Sequence, residues 1–156
     1  SAGWFWKEYK GVNLSDYAQR NDFIYLTQRI NGAFSGWDDR LRLLGLAADA
    51  LLVDHCPNLV ACPNVAAFSL QLSESRHSRV AAFAFGYWFD PNVKSKSIIG
   101  VTKSKDLALE GYRMFIDLLA GVSEREKKKD GNFGFDTIQA MLDHALNRVK
   151  HFEKEV

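Results

Sequence analysis

Apolar positions recur with one period in the first third of the chain and with another in the middle. Phe23, Leu26 and Ile30 follow Asn21 and Asp22 at helical spacing, and either polar residue can accept from the unpaired amides that open a helix. Gly32 and Gly36 end that segment. Beyond them Trp37, Leu41, Leu44, Ala48, Leu51 and Leu52 define one face of a second helix, over residues 37–53. A shorter turn through Asp16, Tyr17 and Ala18 can be capped by Ser15.

After Pro57 and Pro63 the pattern changes. The run AAFSLQLSES (residues 66–75) puts Phe68, Leu70 and Leu72 on alternate positions, RVAAFAFGYWFD (79–90) is rich in aromatics, and SKSIIGVTKS (95–104) is β-branched with polar flanks. Asp90-Pro91-Asn92 supplies turn chemistry between the second and third runs. These features predict an antiparallel three-stranded meander. Two helices should follow, one from Asp106 to about Lys128 and one over Ile138, Met141, Leu142, Ala145, Val149 and Phe152, opened by Asp136 and Gln139 as a capping box. The expected class is α+β, mainly α. Residues 1–54 form a helical lobe, and residues 55–156 form an appended element of meander and helices.

Composition narrows the function classes. The 156 residues are 47% hydrophobic and 25% charged with a formal charge of +1, so a core can form and nothing electrostatic points to nucleic acid. No run reaches the roughly 18 to 20 apolar residues of a membrane span, and the start lacks the layout of a signal peptide. The chain opens without Met and runs at once into Trp4, Phe5 and Trp6, which suggests a fragment or processed product whose aromatics anchor the lobe. Cys56 and Cys62 read as two buried thiols or as a disulfide, and with His55 they make only a partial zinc set, short of four ligands. No phosphate loop, dinucleotide fingerprint or Gly-x-Ser-x-Gly elbow is present, so no metal or cofactor is expected. The charge run EREKKKDGN reads as a solvated helix end. His144 and His151 read as exposed.

The densest chemistry lies in TQRINGAFSGWDDR, residues 27–40. With SAGWFW (1–6) and GVNLSDYAQRNDF (11–23), it resembles in order and spacing the C-terminal part of the glycoside hydrolase family 19 catalytic domain, the chitinases and lysozyme-like endolysins. The likeness covers residues 1–44. It implies a lysozyme-like lobe, with Asn31 where the family's asparagine hydrogen-bonds the sugar and Arg40 where an arginine supports the carboxylates and cleft. Arg29 keeps a basic position, Gln28 replaces the first of two paired arginines, and Ala33 replaces a second glycine.

A saccharide presents hydroxyl and amide groups above an apolar ring face, which suits planar hydrogen-bonding side chains beside an aromatic surface. Asn31, Arg29 and Arg40 would supply the first and Trp37 the second; alternatively Arg40 pairs with Asp16 or Asp22 and Trp37 is core. Inverting glycosidases need two carboxylates roughly 6.5 to 9.5 Å apart, and in the resembled family those glutamates lie upstream of the matched segment. Glu8, Glu74 and Glu110 sit in no comparable context, so no catalytic residue is identified in this chain.

The expected function is therefore part of a hydrolase of β-1,4-linked amino sugars, with peptidoglycan ahead of chitin because the bacterial form of the motif fits better. Such a protein acts on the cell wall as an endolysin or antibacterial effector, and an inhibitor (immunity) protein is a plausible partner. The alternative is a non-catalytic glycan- or protein-binding module that presents exposed aromatics such as Tyr87 and Trp88.

Overall fold

The computed structural model describes residues 6–8, 11–50 and 68–154. Among the described residues the helices with defined bounds are α1 (Leu14–Gln19), α2 (Phe23–Asn31), α3 (Trp37–Ala50), α4 (Arg79–Phe89), α5 (Lys105–Leu118), α6 (Glu124–Lys127) and α7 (Ile138–Lys154). Two 3-10 turns, Leu70–Leu72 and Glu74–His77, lead into α4. Expectations for Trp4 and Phe5, for residues 51–53 of the second helix, and for His55, Cys56 and Cys62 lie outside the described residues.

The three-stranded meander is not there, and the class is helical rather than α+β. Among the described residues no strand forms, and the one β-type pairing is an isolated bridge between Asp130 and Thr137. The aromatic run 79–90 is α4. Its residues 81–86, with Trp88 and Phe89, are all buried, and a helix enclosed on nearly every side shows no amphipathic period to read.

Small residues explain how α4 is enclosed. A Cβ on Gly111 of α5 would collide with the Gly86 backbone, and one on Gly86 would lie 2.7 Å from Tyr112 Cδ1. The two helices thus meet backbone to backbone, an approach that any larger side chain at these glycines would block.

The other two expected strands fail for local reasons. In 66–75, the Ser69 and Ser73 hydroxyls accept from the amides of Gln71 and Ser75, which offers the chain turns in place of a ladder. Leu70 is buried there while Leu72 is 81% exposed. Two carboxylates then hold this connector. Glu110 Oε1 accepts from Ser69 Oγ at 2.6 Å, and Asp22 accepts from Ser73 Oγ at 2.6 Å and from the Glu74 amide at 2.7 Å. In 95–104, Gly100 takes φ +64°, a left-handed conformation that interrupts any extended run.

Helix boundaries moved for similar reasons. Asn13, not Ser15, caps α1 by accepting from the Ser15 amide, and Asp22 caps α2 by accepting from Tyr25. Thr137 Oγ1 accepts from the Ala140 amide at α7, whereas Gln139 of the expected capping box donates to Asp143. The helix foreseen over 106–128 is two helices, α5 and α6, separated by Gly121 at φ +78° and by Ser123, which caps α6.

One apolar core crosses the division between residues 54 and 55. Trp37 packs edge-on against Phe85 and Phe89 of α4 and against Phe23 and Phe68. Phe34 meets Phe85 as well. On the far side of α4, Phe83 contacts Phe115 of α5, while α7 lays Met141, Leu142, Ala145 and Phe152 inward.

Candidate functional site

The α2–α3 corner gathers most of the polar residues singled out in the sequence. Gly32, at φ +74°, caps α2 in the left-handed region, as a helix-ending glycine does. Gly36, at φ +70°, turns the chain into α3. Between them Phe34 plunges into the core. The corner is stapled from outside by the segment 99–102: the Gly36 amide donates to Ile99 O at 2.9 Å, the Asp38 amide donates to Gly100 O at 3.0 Å, and Thr102 Oγ1 donates to Asp38 Oδ2 at 3.0 Å.

On this frame Arg40 and Asn31 meet. Arg40 Nη2 donates to Asn31 Oδ1 at 2.8 Å, and Asn31 Nδ2 donates to Ser35 O at 2.7 Å. Asn31 is exposed and Arg40 partly buried. Neither Asp16 nor Asp22 takes up Arg40: Asp16 accepts from Asn13, and Asp22 is spent on the cap and the connector. The Arg40 guanidinium has five N–H donors, and its contact with a single neutral amide oxygen leaves capacity for an incoming acceptor.

Arg29 is not brought to this pair: two residues before Asn31 it projects from the other side of α2, its guanidinium 5.9 Å from the Tyr25 ring centre. Gln28 is partly buried on the same helix. Trp37 does not belong to this surface. It is 0% exposed with its indole N–H unpartnered, so it is core and cannot stack on a ligand from outside.

Sequence reasoning missed the residues that staple the corner, Ile99, Gly100 and Thr102, because a β-branched run read as a strand. The Ser35 carbonyl was missed too, and no sequence signal marks a backbone acceptor of that kind.

A second polar cluster is deeper and went unread. Asp90, 0% exposed, closes α4 and receives Arg148 of α7 in a two-pronged pair, Nε to Oδ2 at 2.6 Å and Nη2 to Oδ1 at 3.0 Å. Tyr112 OH donates to Oδ2 at 3.0 Å and the Asn92 amide donates to Oδ1 at 2.8 Å. With its amide turned to suit its neighbours, Asn92 also accepts from Arg148 Nη2 at 2.8 Å.

Burial, followed by the Asp90 charge, holds the Tyr112 hydroxyl far above the ordinary tyrosine range. His144 adjoins Tyr112 at 3.2 Å and is half-buried, not exposed as the sequence suggested. Every oxygen of this carboxylate has partners, so the cluster is a structural knot rather than a reactive centre.

Trp88 and Tyr87, foreseen as exposed aromatics for a partner, face inward. Trp88 is 7% exposed, and Tyr87 stacks with Phe83. Among the described residues no group of three His, Cys, Asp or Glu could hold a metal, and no helix is long and apolar enough to cross a membrane. A groove of about 260 Å³ beside Phe23, Phe68 and Leu72 and a cavity of about 160 Å³ beside Val80, Phe115 and Met141 both lie away from the corner. No family model, curated protein or solved structure matches the chain.

Proposed function

We propose that the α2–α3 corner is one wall of a glycan-binding cleft in a hydrolase of β-1,4-linked amino sugars, with peptidoglycan as substrate class ahead of chitin. The observation that supports this reading is the Arg40–Asn31 pair at 2.8 Å, built from the residue that the likeness over residues 1–44 marks for sugar contact, Asn31, and the one it marks for support of the carboxylates and cleft, Arg40. Arg40 offers a planar fork with donors to spare, and Asn31, whose Oδ1 orients that fork and whose Nδ2 is tied to Ser35 O, keeps one N–H and one lone pair for hydroxyl and acetamido functions. Gln28, three residues before Asn31 on the helix, extends the polar rim along α2, whereas Arg29 lies on the other side of that helix over Tyr25. Trp37 works from beneath, fixing the corner to the core rather than touching sugar.

The corner binds and orients; the general acid and base are not assigned to residues of this chain. On this reading the protein works at the cell wall, and an inhibitor that fills the cleft is its natural protein partner.

Co-sedimentation tests the binding claim. The chain should pellet with purified peptidoglycan sacculi, less with chitin and not with cellulose, and Asn31→Ala and Arg40→Ala should each remove the sacculus-bound fraction while the melting temperature falls by no more than about 4 °C. Retention by both variants equal to the parent protein would count against the corner as the glycan surface.

A further inference from the structure

The segment 130–137 joins α6 to α7 and folds back on itself. Gly131 N donates to Asp136 O at 3.1 Å, and Ile138 N donates to Lys129 O at 3.0 Å. Within it Phe133 takes φ +58°, a left-handed conformation that is an outlier for a bulky residue. Such strain persists only where surroundings impose it, and here the surroundings are aromatic. Phe133 stacks on Phe83 at 5.6 Å and lies 6.0 Å from Tyr87, while Phe135 sits 5.4 Å from Phe83 and 5.0 Å from the imidazole of His144. The segment is a strap buckled by rings, and His144 is part of the buckle.

The proton on that imidazole can be placed. Tyr112 OH is committed as donor to Asp90, a carboxylate already held by Arg148, so towards His144 it can only accept. His144 therefore donates through Nε2–H, and in the neutral ring Nδ1 carries the lone pair. Proton uptake at Nδ1 makes a cation enclosed by Phe83, Tyr87, Tyr112 and Phe135.

The charges that face this ring do not rescue it. Asp90, at the end of α4, attracts it but is neutralised by two bonds from Arg148, and Arg148 itself, one turn along α7, repels it. From α4 and α5 the facing titratable groups are the phenols of Tyr87 and Tyr112. The strap's own carboxylates, Asp130 and Asp136, are exposed, as is neighbouring Asp143, which accepts from Gln139.

We propose that residues 130–137 form an acid-released strap: protonation of His144 frees Phe135 and Phe133 from the seam between α4 and α7 and opens the cavity to which the strap contributes Asn132. That cavity, about 160 Å³, is otherwise lined by Arg79, Val80, Phe115, Ile138 and Met141. Burial, more than the nearby charges, lowers the His144 pKa below its ordinary 6.5. Sign follows from direction: the neutral ring supports the closed strap in full above about pH 6.5, and that support fades as pH falls towards the depressed folded value. This inference does not depend on the glycan reading.

Amide hydrogen exchange on the full chain, corrected for intrinsic rates, tests it. Between pH 7.5 and pH 5, protection over residues 131–136 should fall about ten-fold or more while α4 and α5 keep theirs. His144→Gln, which keeps a donor towards Tyr112 and carries no charge, should make strap protection independent of pH. Unchanged protection in the parent, or the same fall in His144→Gln, overturns the proposal. Should that variant not fold, ring NMR of His144 in the parent decides: its titration midpoint must coincide with the midpoint of strap opening, and a mismatch overturns the proposal equally.

Discussion

Arg40 and Arg148 each hold an amide or carboxylate from a distant turn, yet they stand in opposite states. Arg148, 15% exposed at its side chain, grips the fully buried Asp90 with two bonds, and Tyr112 and Asn92 occupy what remains of the carboxylate. Arg40 gives a single bond to an exposed neutral amide. The knot joins α4, α5 and α7 and keeps no valence for a ligand, whereas the corner is stiff beneath and its Arg40 keeps donors to spare. Polar residues brought together mark a binding surface only where partners are still wanting.

Removing one arm of the knot separates the two regions most sharply. Arg148→Met leaves Asp90 buried without its cation and should cost about 3–5 kcal/mol in denaturant unfolding. Adding Asp90→Asn should recover part of that loss, and a double variant no more stable than the single one would mean that the pair is not what holds the charge.

Trp37→Ala probes the inner side of the corner. It should cost about 3 kcal/mol, at the low end for an aromatic deletion because the lost indole N–H had no partner. A far smaller loss would mean that the corner is not tied to the α4 core.

Alkali tests the knot from a third direction. The folded state keeps the Tyr112 proton that the unfolded chain releases near pH 10, so stability is full below that pH and declines above it. The Tyr112 contribution to that decline is about 1.4 kcal/mol per pH unit, and Tyr112→Phe should remove it, leaving the smaller share of Tyr25, which burial also raises.

Smallest in stability, and largest in function on our reading, are Asn31→Ala and Arg40→Ala. Each should cost below about 1 kcal/mol, because the groups left behind are solvated.

The helices before residue 50 were legible because they are amphipathic and carry their own stop signals: Asp22 caps α2, and Gly32 and Gly36 frame the corner as read. The bond between Arg40 and Asn31 could not be read, since nine positions separate the two and Asp16 and Asp22 offered the cation a carboxylate instead. α4 was misread because burial on all sides erased the helical period and left an aromatic composition that looks like a strand. The partner that hides it, the close glycine approach to α5, involves positions 86 and 111 and has no local signature. Trp37 was ambiguous for a related reason, since an indole beside polar residues looks the same in sequence whether it faces solvent or core. Asp90 reads in sequence as turn chemistry, which it also supplies by closing α4, and its salt bridge spans 58 positions that no periodicity connects.

The central claim is that the outer side of the α2–α3 corner contacts sugar, and an NMR titration with a soluble peptidoglycan fragment tests it most directly. The account predicts shift changes concentrated at Gln28, Asn31 and Arg40, including the Arg40 side-chain Nε–H, with the knot around Asp90 silent and the response lost in Asn31→Ala. A folded protein whose corner resonances stay in place at saturating fragment, or whose changes map to another surface, would contradict it.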